Sequence, residues 1–342
     1  MRGVLLHGPG DVRVEQRPDP RIQAPTDAII KIIAACVCGS DLWPYRADSG
    51  PASPAPMGHE YVGEVVEVGS DIRNLKVGDT VVGSFMASDN TCPTCQLGYQ
   101  SCCVNVGRVG ESGTQAEYAR IPLADGTLVP VPADATSDRA TLASLLACSD
   151  VFGTGWFAAD AANVTEGKTV AVIGDGAVGL LGVLSASQMG AERIIVCSRH
   201  ADRQAMAKEF GATHIIETRG EEAIAEIKDL TDGFGADSVI EAVGTQQSMQ
   251  QAMGATRPGG HLGFVGISHD VQIDGATLLF QTIHLHGGPA PVRRYLPDLI
   301  DRVLSGSINP GKVFDKTFAL ADAADAYKAM DQRECIKAML LP

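Results

Sequence analysis

The chain has 342 residues, of which 45% are apolar and 20% charged, and its formal net charge is −14. That length exceeds one ordinary core and predicts two globular domains. The acidic balance argues against nucleic-acid and anionic-membrane partners, because both need clustered Lys and Arg. No run of 18 apolar residues occurs, and the first ten residues lack the apolar core of a secretory leader. The expectation is therefore a cytoplasmic protein without a membrane span.

From position 3 to about 131, Gly and Pro punctuate the chain every few residues, and β-rich runs stand between them at 28–34, 61–68, 80–84 and 116–121. This spacing predicts a domain of short strands. Positions 138–162 read as helical, with Asp138 placed to cap. From 168 the character changes. Strands are predicted at 168–173, 193–197, 213–216, 238–243 and 261–266, with a sixth at 283–286. Helices are predicted at 177–189, 201–210, 221–230 and 248–256, with Gly211 as a helix stop and Pro258-Gly259-Gly260 as a turn. Alternating strand and helix implies a parallel sheet covered on both faces. The tail from 293 to 342 returns to helices with a short apolar end and could complete either domain.

Gly174-Asp175-Gly176-Ala177-Val178-Gly179 follows an apolar strand and opens a helix. In that context the pattern reads as a dinucleotide loop. The first Gly permits the turn, the second lets backbone approach a pyrophosphate, and the third lets helix and strand pack closely. The helix N-terminus then offers free N–H groups to the phosphates. Where an NAD-binding domain places an acid at the end of the second strand, this chain has Ser198, Arg199 and His200, with Arg203 one helical step further. A hydroxyl and guanidinium groups suit a 2′-phosphate, so NADP is expected over NAD.

Three features precede this loop: Cys38-Gly39-Ser40-Asp41, Gly58-His59-Glu60-Tyr61-Val62-Gly63, and four cysteines between positions 92 and 103. Cys38 and His59 are a thiolate and an imidazole at home on zinc, although each alone also fits plain packing. Crowded cysteines in so large a chain suit a metal site better than a disulfide framework.

Together these motifs resemble the zinc-dependent alcohol dehydrogenases of the medium-chain dehydrogenase/reductase superfamily, and in particular its NADP-using bacterial members. The resemblance covers nearly the full length, and the Gly-His-Glu run is its most specific part. It implies an α/β protein with a β-rich, GroES-like catalytic domain over 1–151 and 290–342 and a doubly wound (Rossmann) cofactor domain over 152–289. The active site is expected in the cleft between them. The resemblance implies two zinc ions per subunit. The catalytic ion would be held by Cys38, His59 and Asp150, with Cys148 a weaker choice than Asp150 and Glu60 a fourth ligand that can join or leave. Ser40 would take the alcohol proton, and Asp41 would be a structural partner. Trp43 stands where many relatives carry a relay His. The second ion would be structural, on Asp89, Cys92, Cys95 and Cys103, with Asp89 in place of the usual Cys and Cys102 an alternative to Cys103. Lys337 matches a phosphate-contacting position of some NADP-using relatives.

The implied reaction is hydride exchange between a small alcohol or carbonyl compound and the nicotinamide. The alternatives are a polyol or amino-alcohol dehydrogenase on the same scaffold and a catalytically silent cofactor-binding protein. The resemblance also implies a homo-oligomer, tetramer before dimer, formed by edge-to-edge pairing in which 283–286 would take part.

Overall fold

The computed structural model describes residues 1–342 and divides into two compact units, Met1–Gly153 with Pro291–Pro342, and Thr154–Ala290. No helix is long and apolar enough to cross a membrane.

The first unit is built on a seven-stranded sheet. Its order is Leu128–Val131, Thr80–Gly83, Tyr61–Val68, Ala28–Cys36, Lys337–Leu341 and Phe314–Ala319, with Tyr118–Ile121 also paired to Ala28–Cys36. β-branched residues fill these strands and bury Ile30, Val65, Val81 and Ile121 completely. The register positions the chemistry. Ala35 faces Tyr61, so the residues that follow one strand meet those that precede the next, and Cys38 meets His59 and Glu60. On the other edge of the same strand Met339 faces Cys36, which carries Lys337 towards Cys38. The C-terminal tail therefore belongs to this unit and contributes a strand to its main sheet.

The predicted helical stretch from 138 is two helices, Arg139–Cys148 and Val151–Ala161. Asp138 caps the first by accepting the Thr141 N–H at 2.8 Å. At the break, Ser149 Oγ accepts the Tyr61 N–H at 3.3 Å. That bond brings Asp150 to the start of the strand that follows His59.

The second unit carries six parallel strands in the order His214–Ile216, Arg193–Cys197, Thr169–Ile173, Ala236–Glu241, Thr256–Phe264 and His284–Gly287. One expectation is corrected. Pro258-Gly259-Gly260 does not separate helix from strand but lies inside Thr256–Phe264. Ala236 faces Thr256 while Ser238 already faces His261, so the extra residues form an irregularity within the pairing. Gly259 takes the left-handed conformation there, with φ +68°.

Candidate functional site

Cys38, His59, Glu60 and Asp150 converge, with one donor atom from each lying within 4.8 Å of all the others. Cys38 and Asp150 are buried and Glu60 is fully enclosed. His59 Nε2 stands 3.3 Å from Asp150 Oδ2, and Cys38 Sγ is 3.8 Å from the same oxygen. The opposite ring nitrogen, Nδ1, faces Asp41 Oδ1 at 3.5 Å. Asp41 is itself anchored, because its Oδ2 accepts the Cys38 N–H at 2.9 Å and the Gln115 side-chain amide at 3.0 Å. The Tyr327 hydroxyl donates to the other end of that amide at 2.9 Å, which fixes its orientation. The result is an imidazole with Nδ1 turned to a carboxylate and Nε2 turned to the other donors, the orientation that a ligating histidine needs.

The donor set fits zinc. It combines a thiolate former, an imidazole and carboxylates in one buried space. Burial and the neighbouring Glu60 push the Cys38 thiol up, and burial pushes the Glu60 carboxyl up. Burial disfavours charge on His59, but Asp41, Asp150 and Cys38 outweigh it and raise the imidazole well above its usual value. Anionic groups crowded in this way are stabilised by a cation among them. Glu60 Oε2 is buried with no hydrogen-bond partner and belongs to the same cluster, so it is a spare donor.

A second group of donors, Asp89, Cys92, Cys95 and Cys103, also lies within 4.8 Å. Asp89 is held in place by its own loop. Its Oδ1 accepts the N–H groups of Thr91 (2.8 Å) and Cys92 (2.9 Å), and its Oδ2 accepts the Asn105 amide at 2.8 Å. These bonds outweigh burial and hold the carboxyl well below its usual range. Hydrogen bonds from the Val104 and Cys95 backbone bring the Cys92 thiol down to about 7. Cys103 is buried in the cluster while Cys102 is exposed, so the geometry selects Cys103. Three thiols and a carboxylate, with their donor atoms within 4.8 Å of one another, suit a closed, structural zinc site.

The glycine loop has the three properties its motif requires. Gly174 takes φ +117°, open only to glycine. A methyl group at Gly176 would meet nothing within 4 Å, which leaves space for a ligand at the mouth of helix Ala177–Gln188. A methyl group at Gly179 would overlap the Gly174 carbonyl oxygen, so helix and loop touch there.

Comparison with known proteins agrees with these features. Residues 24–133 match the alcohol dehydrogenase GroES-like domain, and residues 177–305 match the zinc-binding dehydrogenase domain. The chain is 38% identical over 336 residues to a Mycobacterium tuberculosis protein that carries the name zinc-binding alcohol dehydrogenase, covering 96% of this chain and 84% of the relative. The alcohol dehydrogenase TADH of Thermus sp. ATN1 superposes with a TM-score of 0.91 at 30% identity, over 100% of this chain and 99% of the other. A zinc-binding dehydrogenase of Sinorhizobium meliloti 1021, solved bound to NADP, superposes with a TM-score of 0.84 at 26% identity, over 100% and 99% of the two chains. This chain belongs to the zinc-dependent alcohol dehydrogenases.

Within this dehydrogenase the sequence-predicted residues fall into three sets. Cys38, His59, Glu60 and Asp150 come together, and Ser40 joins them with its Oγ 3.5 Å from His59 Nε2. The residues after the second cofactor strand are differently employed than expected. The Ser198 hydroxyl donates to Asp175 Oδ2 at 2.8 Å, and Arg203, nearly buried, pairs with Asp175 Oδ1 at 3.5 Å. Asp175 of the glycine loop thus engages both, while Arg199 is exposed.

Lys337 is a correction. Its side chain is 1% exposed, and its ammonium donates to Glu60 Oε1 at 2.7 Å and to the Val37 carbonyl at 3.1 Å. A lysine buried against this donor cluster is not available to a cofactor phosphate. The physical reason is its strand, which inserts beside Ala28–Cys36 and points this residue at the carboxylate. Gln115 and Tyr327, which hold Asp41, carry no local signal in the sequence. Phe85 was also missed, and its ring stands edge-on to His59 with centroids 6.1 Å apart.

Proposed function

We propose that this dehydrogenase interconverts small alcohols and their carbonyl compounds with NADP(H) as the preferred cofactor. Cys38, His59 and Asp150 hold the catalytic zinc, Glu60 is the reserve ligand, and Ser40 opens the proton path. The observation that carries this reading is the convergence of these four donors, with Asp41 locked behind the imidazole. Bound zinc supplies a Lewis acid that withdraws charge from an alcohol or carbonyl oxygen. The protein's own residues do the rest. Cys38 and Asp150 contribute negative charge that offsets part of the metal's. Asp41 keeps His59 facing the donors. Lys337 holds one oxygen of Glu60 and leaves the other without a partner. The Ser40 hydroxyl, half-buried beside His59, is placed to accept the proton that an alcohol loses and pass it outward. Trp43, exposed where many relatives carry a relay His, leaves the outer part of that path to solvent.

Asp89, Cys92, Cys95 and Cys103 are proposed to hold a second, structural zinc. The chain is also proposed to assemble with copies of itself, tetramer before dimer, through the strand His284–Gly287. This strand is paired on one side only, and Leu279 and Phe280 are exposed on the helix before it.

The cofactor preference rests on the absence of an acid at positions 198–200, right after Arg193–Cys197, and on exposed Arg199. The NADP bound to the Sinorhizobium neighbour supports it. Asp175 tempers the expected set by occupying Ser198 and Arg203, which leaves Arg199 as the main phosphate contact. A charge-assisted contact contributes about 1.5–3 kcal/mol, so Arg199→Ala should weaken NADP by roughly one to two orders of magnitude. NAD should be little affected. Measured kcat/KM for both cofactors tests this, and equal losses, or a wild type that already prefers NAD, would overturn it.

A further inference from the structure

Three of the chain's eight histidines stand together at one edge of the six-stranded sheet. His284 and His286 belong to the edge strand His284–Gly287, and His261 lies on the strand beside it. The parallel register sets His284 opposite His261 and His286 opposite Gly263. Alternation along a strand sends His284 and His286 to one face and Leu285 to the other. Gly263 identifies that face, because a methyl group on it would overlap the Ala158 carbonyl oxygen of helix Val151–Ala161. Both edge histidines are nevertheless exposed.

Each exposed ring has an aromatic neighbour that orients it. His284 stacks on His261, with centroids 4.4 Å apart and planes 13° apart. His286 stands edge-on to Phe157 at 5.7 Å and 79°. Asn163 Nδ2 lies 3.4 Å from His261 Nε2 and steadies the inner ring. Two oriented imidazoles on one strand make half of a tetrahedral zinc site, which takes four donors. One copy of the chain does not complete it, since the donor groups tight enough to hold an ion are the two already described.

A second copy supplies the other half. From position 275 to 292 the sequence has no Asp, Glu, Lys or Arg, so two chains of net charge −14 can meet there without direct repulsion. Two identical subunits close through a twofold axis. For two edge strands in one sheet, that axis stands perpendicular to the sheet. The strands then run antiparallel and every residue keeps its face. In each symmetric register the imidazoles of both copies therefore share one face. Same-face neighbours on a strand lie about 6.5–7 Å apart, and directly opposite Cβ atoms about 5 Å apart, spacings that imidazoles around a single ion can bridge.

We propose that His284 and His286, together with the same two residues of a second copy, form a shared zinc site across the edge-to-edge interface. His261 is a positioning residue for His284. The inference rests on the reading that copies pair through His284–Gly287. Imidazole nitrogens suit zinc. An ion held this way binds the pair and not the separate subunit, so zinc concentration and assembly are linked.

The test starts from the zinc-loaded enzyme, freed of loose metal by gel filtration. Zn2+ is titrated by calorimetry, and subunit association is followed by light scattering across a dilution series. The expected uptake is one further ion for each pair of subunits. With free zinc at about ten times its Kd, the dissociation constant of the pair should fall about tenfold. The double variant His284→Gln/His286→Gln, changed at two exposed positions, should take up no further ion, and zinc should leave its association unchanged. His261→Ala should weaken the added zinc by about three- to tenfold, and His261→Phe, which keeps a flat ring against His284, should stay within about twofold of wild type. Equal losses in those two variants would remove His261 from the site. A further ion in every subunit with no gain in association, or equal uptake by the double variant, would overturn the shared site. So would an oligomeric wild type that takes up no further zinc. A wild type that stays monomeric at micromolar concentration with and without zinc would instead overturn the assembly reading, and the site with it.

Discussion

Lys337 and Glu60 form an ion pair in which neither partner meets solvent, with 1% and 0% of the side chains exposed and 2.7 Å between Nζ and Oε1. Lys337→Met keeps the length and apolar stem of the side chain but removes the ammonium. Glu60 is then left buried with one oxygen newly unpaired and the other already without a partner. Breaking a buried pair from one side costs about 3–5 kcal/mol, because the remaining charge is uncompensated. For a domain of this size each kcal/mol lowers the melting temperature by about 2–4 °C, so the drop should be roughly 6–20 °C. Glu60→Gln in the same background removes the stranded charge and should recover more than half of the loss. The assay is thermal unfolding of the single and double variants at neutral pH, with zinc content measured alongside. NADPH affinity should stay within about twofold of wild type, because the Lys337 ammonium is buried against Glu60. A melting temperature within about 2 °C of wild type would refute the pairing argument. A tenfold weaker NADPH Kd would restore Lys337 to the phosphate.

Three further outcomes are expected. Cys38→Ala, His59→Ala and Asp150→Ala should each leave about one zinc ion of two per subunit and almost no turnover, with the fold intact by circular dichroism; full activity in Asp150→Ala would move that ligand role to Cys148 or Glu60. Cys95→Ala should instead lower the melting temperature and the metal content together, since a structural zinc contributes folding free energy. Ser40→Ala should slow alcohol oxidation by about 10²-fold or more without loss of zinc, and an unchanged rate would assign the first proton transfer to water. For assembly, Phe280→Asp, at a side chain 81% exposed beside the edge strand, should shift the mass measured by light scattering towards the monomer; a wild type that is already monomeric at micromolar concentration would remove the proposed interface.

Much of this dehydrogenase was legible in its sequence because the signals are local. The glycine loop works through three residues within six positions, and each demand on backbone conformation or space falls on a neighbour in the chain. Asp89, Cys92 and Cys95 lie within one turn-and-helix segment, so their spacing alone makes a metal pocket plausible. Alternation of apolar strand and helix announced the parallel sheet, since each strand reads as a short buried run whatever its neighbours. The boundary at Pro258 was missed because helix breakers also serve as irregularities inside a paired strand. What only the tertiary structure decided are the partnerships between distant positions. Spacing favours Cys103 but leaves Cys102 beside it as an alternative, and packing turns Cys103 inward and Cys102 outward. Ser198 and Arg203 read as phosphate contacts until Asp175, more than 20 residues earlier, is found holding both. Lys337 is separated from Glu60 by 277 positions, and its charge says only that it needs water or an anion. Which of the two it receives depends on the register of the last strand against Ala28–Cys36. That register is a property of the assembled sheet, because backbone pairing and the burial of Ala338 and Leu340 select it, while the lysine follows where its strand is laid.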